Sequence, residues 1–342
     1  MKIVRWCLVT LLSLFCFTGL HARDISYSVE RIWGDGTWHC AFPSIVEFKG
    51  RYFISFREFD SHIFNKEGEA AGRIRIISSR NGRKWENVAL ISKEGYDLRD
   101  PKLSVTPDNR LAVIMGGSVY RNKKLVACEP HVMFSDDGKE FSVPEPILIE
   151  ESTRTTHDWL WRITWHEGTA YGVKYCAGGK NDVYLYKTSD GVKYDYVSSI
   201  PCDGFPNETT VRMLPDGEMA LMIRRDKGDR CNIWAMARPP FKEWKTVKTG
   251  SHIGGPDFIV LEGGQIIAGG RTHFMGKPQT TLLTGDNAGN FVEKITLPSS
   301  GDNSYPGFLL VKDEIWVTYY SCHETKRPSI YLAKIPVELF IQ

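Results

Sequence analysis

The chain of 342 residues carries 43 Lys and Arg against 41 Asp and Glu, a net charge of +2, with 42% hydrophobic residues, 12% aromatic residues and 31 glycines. So balanced a charge gives no electrostatic footprint for nucleic acid or anionic membrane, and the apolar and aromatic content excludes disorder while favouring a turn-rich β protein. A single closed all-β ring absorbs this length as one domain.

Residues 1–22 place Lys2 and Arg5 before the apolar run Trp6 to Leu20 and end on the small residue Ala22. That is the pattern of an export signal peptide, so residues 23–342 are expected to form the mature chain, periplasmic or extracellular. The run is too short to favour a membrane span, and no later stretch approaches the roughly 20 apolar residues a span needs. Cys16 follows the bulky Phe15, a poor setting for lipid attachment. The six remaining cysteines, Cys40, Cys128, Cys176, Cys202, Cys231 and Cys322, form no CxxC and no close Cys/His pair. No zinc site, other metal or organic cofactor is expected, and buried free thiols are the simplest reading.

Along the mature chain one strand-turn-strand pattern recurs six times. Pro43 to Arg57 turns at Lys49-Gly50, Pro101 to Gly116 at Asp108-Asn109, Arg162 to Tyr175 at Glu167-Gly168, and Glu208 to Arg224 at Asp216-Gly217. Asp257 to Arg271 turns at Gly263-Gly264 and Tyr305 to Ser321 at Lys312-Asp313. Each is a β-hairpin signal, and their spacing of about fifty to sixty residues matches the longer propeller blade periods. A six-bladed β-propeller follows. After most hairpins a Ser or Thr precedes an Asp/Asn-Gly turn and then an aromatic residue, as in Ser79 to Trp85, Ser135 to Phe141 and Ser189 to Tyr194, with a looser copy from Thr284 to Phe291. These turns satisfy their own backbone and are read as structural. The sixth blade runs short of chain after Ser329 to Ile335, so Ile25 to Trp33 is expected to supply its outer strand and close the ring.

In a propeller the starts of the inner strands and the ends of the second strands converge on one face. The first set reads Arg99-Asp100, Trp161-Arg162, Asn207-Glu208, Pro256-Asp257 and Ser304-Tyr305; the second reads Arg57, Arg224-Arg225, Arg271 with His273, and His323-Glu324. A salt-bridge belt is one use for such residues. Unlike ionisable types meeting in one concavity more often build a site.

The Asp-box-like turns, the segment Asn207 to Arg224 and the late Ser304-Tyr305-Pro-Gly resemble the bacterial sialidase superfamily over nearly the whole mature chain. The resemblance implies an exo-acting glycosidase with a Tyr nucleophile paired to a Glu, and three arginines clamping a substrate carboxylate. Glu208 and Tyr305 match the pair and Arg224 the second arginine. The family's first arginine falls in Cys40-Ala41-Phe42-Pro43 and its third near Lys277 to Thr281, and neither stretch has one. Arg57, Arg99, Arg162 and Arg271 are therefore expected to rebuild an anion clamp, since a guanidinium grips a carboxylate through two parallel hydrogen bonds. Asp257 and His323 complete the expected substrate contacts. The family's general acid is an Asp in the loop after the first hairpin. Asp60 answers to it with help from His62, and Asp100 at an inner-strand start is the rival. Trp161 either stacks on a sugar or packs between blades, while Trp159 is the better core candidate.

The expected activity is secreted hydrolysis of a terminal acidic sugar, sialic acid included, from a glycan or oligosaccharide. A polysaccharide lyase acting on uronates and a non-catalytic glycan-binding propeller are the alternatives.

Overall fold

Six times the chain doubles back through left-handed residues, at Lys49-Gly50, Asn109, Glu167-Gly168, Gly217, Gly264 and Lys312, which are the six turns expected from sequence. A computed structural model describes residues 26–341. The export signal expected at 1–22 lies outside the described residues. Each turn joins the inner two strands of an antiparallel sheet, and the six sheets form a six-bladed β-propeller.

The inner strands are His39–Phe48, Asp97–Val105, Asp158–His166, Pro206–Met213, Gly254–Val260 and Ser304–Val311. Third and fourth strands follow in chain order in five blades, and the third blade gains a short parallel edge at Leu148–Ile149. In the sixth blade the outer strand comes from the other end of the chain. Ser28–Trp33 pairs antiparallel with Ser329–Pro336, so the expected closure is present. Apolar clusters fill the spaces along and between the blades; one gathers Val173, Leu185, Val211, Leu221 and Ile233 from the third and fourth. Among the described residues no helix is long and apolar enough to cross a membrane.

Every inner strand breaks register at the same place. The shift falls between Ala41 and Ser44, Arg99 and Lys102, Leu160 and Ile163, Pro206 and Thr209, Gly254 and Asp257, and Ser304 and Gly307. Extra residues bend a strand and re-aim its side chains, and here they sit where the six strands meet. Phe42, Asp100, Gly255 and Tyr305 occupy equivalent positions in their bulges, all at positive φ between 50° and 62°. For the non-glycine residues that conformation costs about 1–3 kcal/mol each, a strain repeated around the channel mouth.

The polar turns latch neighbouring blades together. Ser79 Oγ accepts from Gly82 N at 2.9 Å and Ser135 Oγ from Gly138 N at 2.9 Å. In the third turn the equivalent oxygen belongs to Thr188, which accepts from Gly191 N at 3.0 Å, so the Ser189 reading was offset by one residue. A Cβ on Gly82 would fall 2.1 Å from the Trp316 ring, and one on Gly138 would fall 2.5 Å from Phe53. Each aromatic comes from the preceding blade.

Candidate active site

The fourth and sixth blades bring Glu208 and Tyr305 into contact. Tyr305 Oη donates to Glu208 Oε1 at 2.8 Å, while Glu208 Oε2 accepts from Arg224 Nη1 at 2.6 Å and from the backbone N of Gly255 at 2.8 Å. Arg224 Nη1 also lies 3.0 Å from Tyr305 Oη, and its Nη2 binds Asp226 at 2.9 Å. Gly255 is constrained twice: its N–H is spent on Glu208, and a Cβ there would fall 2.4 Å from the Tyr305 ring. Burial pushes the Tyr305 phenol well up, the Glu208 charge adds to this, and Arg224 and Arg271 pull against it. The phenol therefore keeps its proton until a base removes it, and Glu208 is in place to do so.

Behind Tyr305 lies a second network. The Arg271 guanidinium stands 5.1 Å over the Tyr305 ring; its Nη2 binds Asp302 Oδ1 at 2.9 Å and Tyr320 Oη at 2.8 Å, and its Nε binds Asn303 O at 2.9 Å. Asp302 Oδ2 meets His39 Nε2 at 2.9 Å and His62 Nδ1 at 2.7 Å. Burial alone raises a carboxyl pKa, but these two imidazoles and Arg271 hold that of Asp302 far below the usual range.

The cleft above holds about 330 Å³ and is lined by Phe42, His62, Arg99, Asp100, Glu208, Arg224 and Tyr305, with Tyr120, Trp159, Tyr175 and Asp226 among its walls. No protein-family model matches the chain, and no curated protein matches it in sequence. Solved structures do resemble it. A protein of unknown function from Dyadobacter fermentans is 17% identical with a TM-score of 0.76, covering 90% of this chain and 98% of that one. A Trypanosoma rangeli sialidase bound to the inhibitor DANA is 13% identical with a TM-score of 0.71, covering 90% of this chain and 59% of that one. The NanB sialidase of Streptococcus pneumoniae is 10% identical with a TM-score of 0.66, over 92% and 70% respectively. These likenesses establish a sialidase-like propeller fold, and the chain spans about three fifths of the trypanosomal sialidase.

The other expected residues divide sharply. Arg57 does not face the cleft; it is fully buried, bound to Asp97 at 2.8 Å and to the carbonyl of Ser61. Arg99 reaches the cleft but is tied to the same Asp97 at 3.2 Å and to His62 O at 2.9 Å. Arg162 and Asp257 are buried together at 3.2 Å, and Arg212 binds the other oxygen of Asp257 at 2.6 Å. They brace the channel rather than a ligand. Both tryptophans belong to the buried core, which decides the open alternative for Trp161, and Trp159 reaches the cleft as well. Trp161 is 1% exposed, edge-on to Tyr305 with Lys102 Nζ over its ring, whereas Trp159 lines the cleft. His323 lies tilted against the Tyr331 ring and pairs with Ser321, away from the cleft lining.

Asp100 lines the cleft, 7% exposed, and Asp60 is not among the lining residues. Burial raises the Asp100 pKa against the pull of Lys102 and Arg99. The buried Lys102, unremarked in sequence, is pushed down to about 7 by burial and the neighbouring Arg162. Arg271, one of the arginines expected in a rebuilt clamp, stands beside Tyr305. Lys277–Gly285 is the following strand. At the first arginine's place stand Ala41 and the Phe42 ring, 5.1 Å from that of Tyr305.

His39, His62 and Asp302 bring three ligand atoms within 4.8 Å of one another. A metal-bound imidazole usually donates its second N–H to a partner, yet His39 Nδ1 is buried without one. Arg271 occupies the other side of the same carboxylate. Hydrogen bonds among the members account for the cluster. All six described cysteines are free.

Proposed function

We propose that the chain is an exo-acting glycosidase that hydrolyses the bond to a terminal acidic sugar, sialic acid among the candidates, with Tyr305 as nucleophile and Glu208 as its base. The observation that carries this reading is the 2.8 Å contact between Tyr305 Oη and Glu208 in the cleft. A phenol gives its proton to the carboxylate as its oxygen bonds to the anomeric carbon, so no second negative charge approaches a sugar that already bears one. Arg224 lies against both atoms and stabilises the charge that passes between them. The cleft volume is at the low end for ligand pockets, which suits a single terminal ring.

The acidic preference rests on Arg224 and Arg99, the two guanidinium groups that line the cleft. Its test is a screen of 4-methylumbelliferyl glycosides of sialic, other ulosonic and uronic acids beside neutral sugars. Turnover of acidic members is expected, and turnover of neutral members alone overturns the preference. Appearance of an unsaturated product would replace hydrolysis by lyase chemistry. The acids paired to both arginines favour a second reading, glycan binding without turnover, which predicts ligand binding that survives in Glu208→Gln with no activity in the parent chain. The mature chain is taken as residues 23–342, exported; intact mass of exported protein that retains residues 1–22 would refute this.

A further inference from the structure

The reaction proposed above needs an acid at the leaving oxygen, and the two carboxylates considered from sequence are both poorly placed for it. Asp60 does not line the cleft. Asp100 lines the cleft but is only 7% exposed and set among the charges of Lys102 and Arg99, which leaves it little reach toward a departing group. The leaving group of an exo-acting enzyme departs outward, so its acid belongs at the rim.

From the geometry we infer that His62 is the general acid and base, oriented by Asp302; this inference rests on the glycosidase reading. His62 sits in the same loop as Asp60, lines the cleft and keeps 45% of its side chain exposed. Its Nδ1 is fixed at 2.7 Å from Asp302 Oδ2, and its Nε2 has no partner among the described residues. A carboxylate on one ring nitrogen sets the tautomer and leaves the other nitrogen to exchange a proton with a ligand. The orienting carboxylate is itself immobilised by His39, Arg271 and Tyr320. Phe42 packs edge-on at 5.3 Å, and the His62 carbonyl accepts from Arg99, so the ring is held on each side but its outer edge. The charged and titratable groups that face it are Asp302, His39 and Asp100, with Arg99 on its backbone and Arg271 beyond Asp302.

The proton inventory closes. Imidazolium His62 gives its Nε2 proton to the glycosidic oxygen as that bond breaks, the Tyr305 oxygen bonds to the anomeric carbon, and the phenolic proton passes to Glu208. Neutral His62 then takes a proton from water attacking the same carbon, and Glu208 returns its proton to the departing Tyr305 oxygen. Asp302 is a positioning residue.

The experiment compares 4-methylumbelliferyl with methyl glycosides of N-acetylneuraminic acid, 2-keto-3-deoxynononic acid and glucuronic acid, using the parent chain, His62→Gln and Asp302→Asn. Gln keeps the polar contacts but carries no transferable proton. For the methyl glycosides, whose leaving group needs protonation, kcat in His62→Gln should fall by about 10²–10⁴-fold. The activated glycosides should lose far less in their first step, and the alkaline fall of kcat/KM on methyl glycosides should vanish. Asp302→Asn should show the same leaving-group dependence in weaker form. Equal losses on both leaving groups, or a His62→Gln profile with the alkaline limb intact, overturn the assignment of His62 while leaving the glycosidase reading standing. Absence of turnover by the parent chain on all of them overturns both.

Discussion

Glu208 accepts from three donors at once, Tyr305, Arg224 and the backbone of Gly255, and only one of them has a proton to lose in a reaction. Tyr305→Phe removes the proposed nucleophile's oxygen and keeps the ring against Phe42 and Trp161. Turnover should fall by on the order of 10³-fold or more, while stability changes by about 1–2 kcal/mol. Glu208→Gln should fall comparably. The double variant should be scarcely worse than either, because both act in one step; multiplied losses in steady-state kinetics would separate them. Asp302 supports a different prediction. Its carboxyl is held below its ordinary pKa of 3.8 by His39, His62 and Arg271. The folded state therefore binds fewer protons there than the unfolded chain. Its stabilisation is complete above that value and is lost as pH falls through and below it. The stability gap between the parent and Asp302→Asn, from urea unfolding, should be constant above about pH 5 and shrink progressively as pH falls below about 4. A gap that widens in acid would contradict this.

The repeated bulge is the element that delivers these side chains. An unbroken strand would alternate its residues between the two faces of the blade, whereas the bulge at Ser304–Gly307 takes Tyr305 to the channel mouth. Its neighbour in the fifth blade must stay bare. Gly255→Ala places a methyl on the Tyr305 ring in a left-handed conformation, at a cost of about 1–2 kcal/mol. Activity should drop far more than thermal stability, and a variant with normal turnover would show that the Tyr305 position tolerates displacement. The hairpins were legible in sequence because each turn carries its own Gly, Asn or Asp signal. The bulges were not, since alternation does not encode where a register slips. Glu208, Tyr305 and Arg224 could be read from their local segment. The network of Asp302 could not, because it joins residues 240 and 263 positions apart. The acids that occupy the arginines had a nearer signal: Asp97 lies two residues before Arg99, and Asp226 two after Arg224. Sequence order placed Arg57 at the mouth of the site, but the buried Asp97 draws it into the interior.

At the scale of the whole molecule, the cleft exists only while six blades keep one spacing, and one strand pairing joins the two ends of the chain. Ser28–Trp33 covers the edge of Ser329–Pro336. Deleting residues 28–33 from the mature chain should lower the unfolding midpoint and promote self-association through the bared edge, seen by light scattering. A truncated chain that stays monomeric with an unchanged midpoint would show that the outer strand is dispensable. This pairing also governs when folding can finish. Its partners stand about 300 residues apart, and at ~5–20 residues per second of synthesis the last strand emerges on the order of 15–60 s after the first. Throughout that interval the amino-terminal strand has no strand to pair with, only the contacts of Trp33 with Phe56 and Arg75 of the first blade. The ring can close only once Ser329–Pro336 is present, so the finished cleft waits on the sixth blade whatever the order in which the other five form.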